Sequence, residues 1–284
     1  MKIRPYLKFF FLIFALLYSA VSTQAFEFVT SRGLGMAGTL LLSEPSASTL
    51  LLLPTSGIAP NEWIFEAGAL REFEIKELDR TYLVAATRAG RFILAAGIAQ
   101  LGQRDFYAEK TLRASLGYLQ QRFGLSLNIS AVEYDFGGFY GSLRAAAVGA
   151  GFSFKLQRLY LAASFDNLNS PTLLENSPET KPVYSFYGEL KGKGAYSIMG
   201  RATFQKNEET SLALAQKIVV SAKGDIFWGI SSAPFQIGGG MELQFVKRGL
   251  LSYAGSFHPA LGYSHNLALI YRLGSKAKGK GGFE

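Results

Sequence analysis

Between Thr111 and Phe136 the chain reads TLRASLGYLQQRFGLSLNISAVEYDF, and this alternation limits its fold more than any other feature. Leu112, Ala114, Leu116 and Tyr118 fall on one face of an extended strand; Arg113, Ser115 and Gly117 fall on the other. After Gln120-Gln121-Arg122 the pattern resumes. Phe123, Leu125, Leu127, Ile129 and Ala131 share one side, and Gly124, Ser126, Asn128 and Ser130 the opposite side. The stretch predicts two long antiparallel strands joined by a tight turn, with an apolar face that meets either a protein core or lipid.

The same period recurs to the end of the chain. Strands are predicted over 61–71, 78–88, 91–101, 142–154, 158–167, 182–190, 195–205, 210–217, 223–231, 235–246, 249–257 and 261–273, which with the opening pair makes about fourteen. Tight turns at 89–90, 120–122, 156–157 and 191–194 alternate with wider loops at 102–106, 135–141 and 168–181. Short turns on one rim and longer loops on the other describe an all-β, transmembrane antiparallel up-and-down barrel. Strands of a soluble sandwich are shorter and carry charge on the second face. Here that face is mostly Gly, Ala, Ser and Asn. Aromatic residues, among them Tyr82, Tyr107, Tyr118, Phe123, Tyr134, Tyr160, Phe227 and Trp228, are read as girdles at the membrane interfaces. A sheet in hydrocarbon must close, because open edges leave amides unpaired. Outer-membrane lipid is therefore the expected solvent of the apolar face.

Residues 1–25 read as a signal peptide: Lys2, Arg4 and Lys8 precede the apolar run Phe9–Ala20, and small residues Thr23 and Ala25 suit cleavage. Without its three basic residues the chain carries 26 basic against 21 acidic groups. Several of the surplus lie in the basic tail 274–284, expected in the periplasm, so no nucleic-acid surface is indicated. The absence of cysteine removes disulfides and thiolate metal sites. No cofactor or metal is implied. Gly33, Gly35 and Gly38 fit G-x-G-x-x-G, but the strand and helix that make it a dinucleotide site are missing. Ser264 and His265 are strand neighbours facing opposite sides, so they form no dyad and no enzyme is expected.

Residues 31–59, SRGLGMAGTLLLSEPSASTLLLLPTSGIA, resemble the N-terminal signature of outer-membrane barrels related to long-chain fatty-acid transporters, the FadL-like superfamily, and more narrowly the PorV/PorQ group of type IX secretion barrels. Arg32, Gly35, Met36, Gly38, Glu44, Ala47, Pro54 and Gly57 match the pattern, while Leu53 and Thr55 depart from it. Residues 233–273 resemble the final three strands of the same family. The resemblance implies a barrel over 61–273 whose segment 26–60 folds inside as a plug, with Arg32, Gly33, Gly35, Met36, Gly38 and Pro54 as its signature positions. Ser43, Glu44 and Pro45 are expected to open a short helix in it. By strand parity Arg113, Arg144, Asp166, Glu189, Arg201 and Arg272 face the lumen, where they line a pathway or form fixed salt bridges. The PorV/PorQ likeness implies protein export or surface attachment, with secretion or cargo proteins as partners. The alternative is a FadL-like channel for a hydrophobic small molecule, gated by the plug.

Overall fold

The computed structural model describes residues 29–55, 58–103, 107–136, 141–172, 180–192 and 195–274. The predicted signal peptide, residues 26–28 of the plug and the tail beyond Gly274 lie outside them. Fourteen strands form one closed antiparallel barrel: β1 (Trp63–Arg71), β2 (Asp79–Ala89), β3 (Phe92–Gln103), β4 (Tyr107–Gln120), β5 (Phe123–Asp135), β6 (Ser142–Leu156), β7 (Leu159–Asp166), β8 (Val183–Lys191), β9 (Tyr196–Gln205), β10 (Ser211–Ser221), β11 (Gly224–Ser232), β12 (Phe235–Val246), β13 (Gly249–His258) and β14 (Gly262–Leu273). Each strand pairs with its sequence neighbours. The seam is β1 on β14, in register from Trp63↔Leu273 to Arg71↔His265. Every interior strand thus has both ladders filled, which is what a spanning sheet requires.

Parity sorts the side chains as the opening stretch demands. On β4 and β5, Leu112, Leu127 and Ile129 are more than half exposed (57%, 52% and 54%), while Asn128 and Ser130 are buried inside. In water such an outward face would be a large apolar surface with nothing covering it. In a bilayer it is the ordinary solvent boundary. Among the described residues no helix is long and apolar enough to cross a membrane.

The turns from even- to odd-numbered strands are short. Gly90, at φ 61°, serves β2–β3, and two residues suffice at 121–122, 157–158, 222–223 and 247–248. The opposite rim holds the wider connections, including 72–78 and 167–182.

Two expectations need correction. Tyr82, Tyr134 and Phe227 are buried, and Tyr107 and Tyr160 share their inward parity, so these rings belong to the lumen and not to a girdle. Two of them fill space left by a glycine; Tyr82 lies over Gly68, and Phe227 over Gly240. Arg144 also points the other way. It shares the outer face of β6 with Val148 and Phe152 and pairs with Glu133 at 2.7 Å, so it lines no lumen.

Candidate functional site

The segment before β1 folds inside the barrel as two short helices. α1 (Ser31–Gly35) starts at Thr30, whose hydroxyl accepts the Gly33 amide at 3.2 Å. The chain then turns through Ala37 and Gly38, both at positive φ (51° and 78°). α2 (Ala47–Leu52) is capped by Ser46, whose hydroxyl accepts the Thr49 amide. The helix therefore begins beyond Ser43-Glu44-Pro45, the expected start. Serine is the better cap, and Glu44 is drawn into ion pairs instead. Among the described residues, every backbone–backbone hydrogen bond of 29–55 stays within that segment.

The wall makes room by omitting side chains. A Cβ on Gly229 would stand 2.5 Å from the Met36 carbonyl carbon, and one on Gly238 would stand 2.5 Å from the Leu34 oxygen. Gly117 and Gly124 do the same beneath Pro54. At Gly229, Gly238 and Gly124 plug backbone touches wall backbone, and at Gly117 the Pro54 ring does so.

Charged side chains then fasten the plug. Arg32 reaches Glu242 of β12 through two bonds, Nε at 2.6 Å and Nη2 at 2.8 Å, and donates from Nη1 to the Glu44 carbonyl at 2.6 Å. The Glu44 carboxylate accepts from Lys191 at 3.0 Å and from Lys217 at 2.8 Å. Lys217 also meets Asp225 at 2.9 Å and lies 4.0 Å from Glu242. Three cations and three carboxylates thus form one neutral network. Burial opposes the charge on Arg32, but Glu242 outweighs it and holds the guanidinium protonated more firmly than water would. Burial likewise pushes the Glu44 carboxyl upward, yet Lys217 and Lys191 bring it well below the usual carboxylate range. A buried pair of this kind is tolerated because the carboxylates keep several donors each.

Further carboxylates hold plug amides. Glu189 of β8 accepts the Leu42 and Ser43 amides at 2.6 and 2.7 Å, and the Ser43 hydroxyl at 2.5 Å. Glu66 of β1 accepts the Ser48 hydroxyl at 2.9 Å, in the first turn of α2. Glu62, just before β1, pairs with Arg272 at 3.0 Å, and Arg272 also donates to the Pro45 carbonyl at 2.7 Å.

Apart from Arg144 on the outer wall, the predicted site residues occupy three places. Arg32, Gly35, Met36, Gly38 and Pro54 form the plug's contact surface, and Gly33 helps to cap α1. Glu189 and Arg272 bind the plug from the wall. Arg201 reaches Gly38, where a Cβ would lie 2.2 Å from its Nη1, and Arg113 pairs with Asp166 across the lumen. Sequence reasoning missed Glu66, Lys217, Asp225 and Glu242. Parity carried the signal: Lys217 shares its face with Ala213 and Ala215, and Glu242 shares its face with Gly238 and Gly240. Ser264 and His265 do face opposite sides. Ser264 accepts the Phe73 amide inside, while His265 bonds the Tyr253 hydroxyl at 2.8 Å outside.

The lumen is two-sided. Beneath α2, Leu50 and Leu51 pack on Ile64, Val84, Ile93, Ala95 and Ile270, an apolar wall supplied by β1–β3 and β14. Beneath α1 and the linking turn the wall carries the ionic network. A recess between Leu42, Thr55, Leu119, Ser153 and Tyr160, on the short-turn side, has room for about one water molecule.

No family model matches the sequence, and no curated protein matches it. Solved structures do share its fold. The Ralstonia pickettii toluene transporter TbuX superposes with a TM-score of 0.62 at 10% identity, covering 87% of this chain and 98% of its own. The Pseudomonas putida toluene transporter TodX gives 0.56 at 11% identity, over 88% and 99%. The Acinetobacter baumannii outer-membrane protein Omp33 gives 0.50 at 11%, over 76% and 100%. At these identities the likeness is one of fold: the closed fourteen-stranded barrel superposes on those outer-membrane proteins.

Proposed function

We propose that this protein is an outer-membrane channel for small hydrophobic molecules, with residues 29–55 as its gate. The observation that carries the proposal is the apolar wall under α2. A water-filled pore presents polar side chains to its lumen. Here, withdrawal of α2 would uncover Ile64, Val84, Ile93 and Ile270, a strip that favours an apolar solute over water. The gate is separable because no backbone ladder ties it to the barrel; its fastenings are side-chain bonds and close packing. The folds it matches include barrels described as toluene transporters and monoaromatic hydrocarbon channels, which supports the same reading.

Protein export or surface attachment, the PorV/PorQ-like role, fits less well. The solved structures that share the fold include toluene transporters and a monoaromatic hydrocarbon channel, and none of those cited is described as a secretion component. The test is uptake of toluene as a probe by cells expressing the barrel. Faster uptake than in cells carrying an empty vector is expected, once assembly has been verified by heat-modifiable gel mobility. Equal uptake with an assembled barrel would overturn the proposal.

A further inference from the structure

The short-turn rim is a ring of cations. Arg91 sits in the β2–β3 turn, Arg122 in β4–β5 and Arg158 in β6–β7. Lys223 occupies β10–β11, and Lys247 and Arg248 form β12–β13. All six are exposed, and among the described residues none of them is in an ion pair. No acidic residue occupies any of these five turns. The opposite rim is different: Glu72, Glu74 and Glu77 lie in the β1–β2 connection, and Glu208 and Glu209 in β9–β10. Chance sequence in solvated turns would mix the signs.

The height of the ring identifies its partner. Arg91 precedes the outward Phe92, Arg122 precedes Phe123, Arg158 precedes Leu159, and Lys247 follows Val246, all four exposed on the outer wall. Arg91 also donates to the hydroxyl of Tyr118, a residue on that same wall, at 3.2 Å. Each of these four cations therefore stands one residue, about 3.3 Å, beyond the last lipid-facing side chain. That is where headgroup phosphates lie when aromatic rings mark the interface.

We propose that this rim binds the anionic phospholipid headgroups of the leaflet it faces, the periplasmic one, and that the ring selects phosphoglycerol lipids over zwitterionic ones. The inference rests on the membrane-spanning reading given above but not on the transported solute. Cations held near a lipid surface add their attractions for anionic headgroups and lose them as salt rises.

The test uses the full-length barrel in bilayer nanodiscs containing equal phosphatidylglycerol and phosphatidylcholine. Lipids retained after transfer to mild detergent are quantified by mass spectrometry. The wild-type protein should retain phosphatidylglycerol about fivefold over phosphatidylcholine at low salt. The ratio should approach one in the variant carrying Arg91→Gln, Arg122→Gln, Arg158→Gln, Lys223→Gln, Lys247→Gln and Arg248→Gln. Arg144→Gln, which removes an exposed cation of the outer wall toward the other rim, should leave it unchanged. If the sixfold variant does not assemble, Lys247→Gln with Arg248→Gln alone should lower the ratio about twofold. Equal retention of both lipids by an assembled wild-type barrel would overturn the inference. So would an enrichment that survives removal of the cations. Indifference to lipid combined with salt-sensitive binding of a polyglutamate peptide would assign the rim to an acidic protein instead. A chain that stays monodisperse without detergent would sink the membrane reading itself.

Discussion

Arg32→Ala is the most informative perturbation of the gate. It removes three hydrogen bonds of 2.6–2.8 Å, two of them to a carboxylate, and strands the Glu242 side chain, which is only 2% exposed. Breaking a buried pair from one side costs about 3–5 kcal/mol, because the remaining charge stays desolvated. Lys217, 4.0 Å from Glu242, offsets part of this, so the lower end applies. About 3 kcal/mol corresponds to roughly a 150-fold shift toward the displaced plug. The barrel ladders are untouched, so heat-modifiable mobility should stay as in wild type. Planar-bilayer recordings should show frequent large openings, and proteinase K should cut within 29–55 much faster. The double variant Arg32→Met with Glu242→Leu provides the control. With both charges replaced by apolar groups of similar length, no orphaned carboxylate remains, and most of the closure should return. If Arg32→Ala conducts and resists protease like the wild type, the ionic network does not hold the plug. If the double variant is as open as the single one, the loss came from packing and not from the stranded charge.

Leu127→Arg places a cation midway along β5 on the outer wall, at a position 52% exposed. It should cost about 2–4 kcal/mol or block assembly, and a wild-type yield of heat-modifiable barrel would contradict a lipid-facing surface there. The Glu44 carboxyl, held below its ordinary value of 4.5 by Lys217 and Lys191 against the effect of burial, adds stability above that range. That stability is lost only as pH falls below it. Protease protection of 29–55 should thus stay flat from about pH 8 to pH 5 and decline under more acid conditions; an onset near neutrality would show that another group controls the plug.

Much of the fold was readable because a closed sheet sorts alternate side chains to opposite faces. Leu112 through Tyr118 and Phe123 through Ala131 alternate cleanly, with the large apolar side chains outward and Arg113, Ser115, Asn128 and Ser130 inward. The pattern blurred where side chains were too small to state a preference. In Arg144-Ala145-Ala146-Ala147 either parity reads equally well, and the arginine was assigned to the wrong side. Inward rings such as Tyr82 and Phe227 were also unreadable, because a ring over a lumen glycine looks, in sequence, like a ring at an interface. α1 has five residues, two of them glycine, and is shaped by the wall around it rather than by its own propensity. The ionic network joins residues as far apart as Arg32 and Glu242, separated by 210 positions, and no local pattern encodes such a meeting.

The seam between β1 and β14 has a consequence for assembly. The wall is completed by its last-made strand, whereas its filling comes before the first. The cylinder must therefore either curl shut around material already in place or admit that material afterwards through the short-turn mouth. In the first case Arg32 and Glu44 act as a former on which β8, β10 and β12 are shaped. A chain lacking residues 29–55 that closed as quickly as the full one would show that the wall needs no such former.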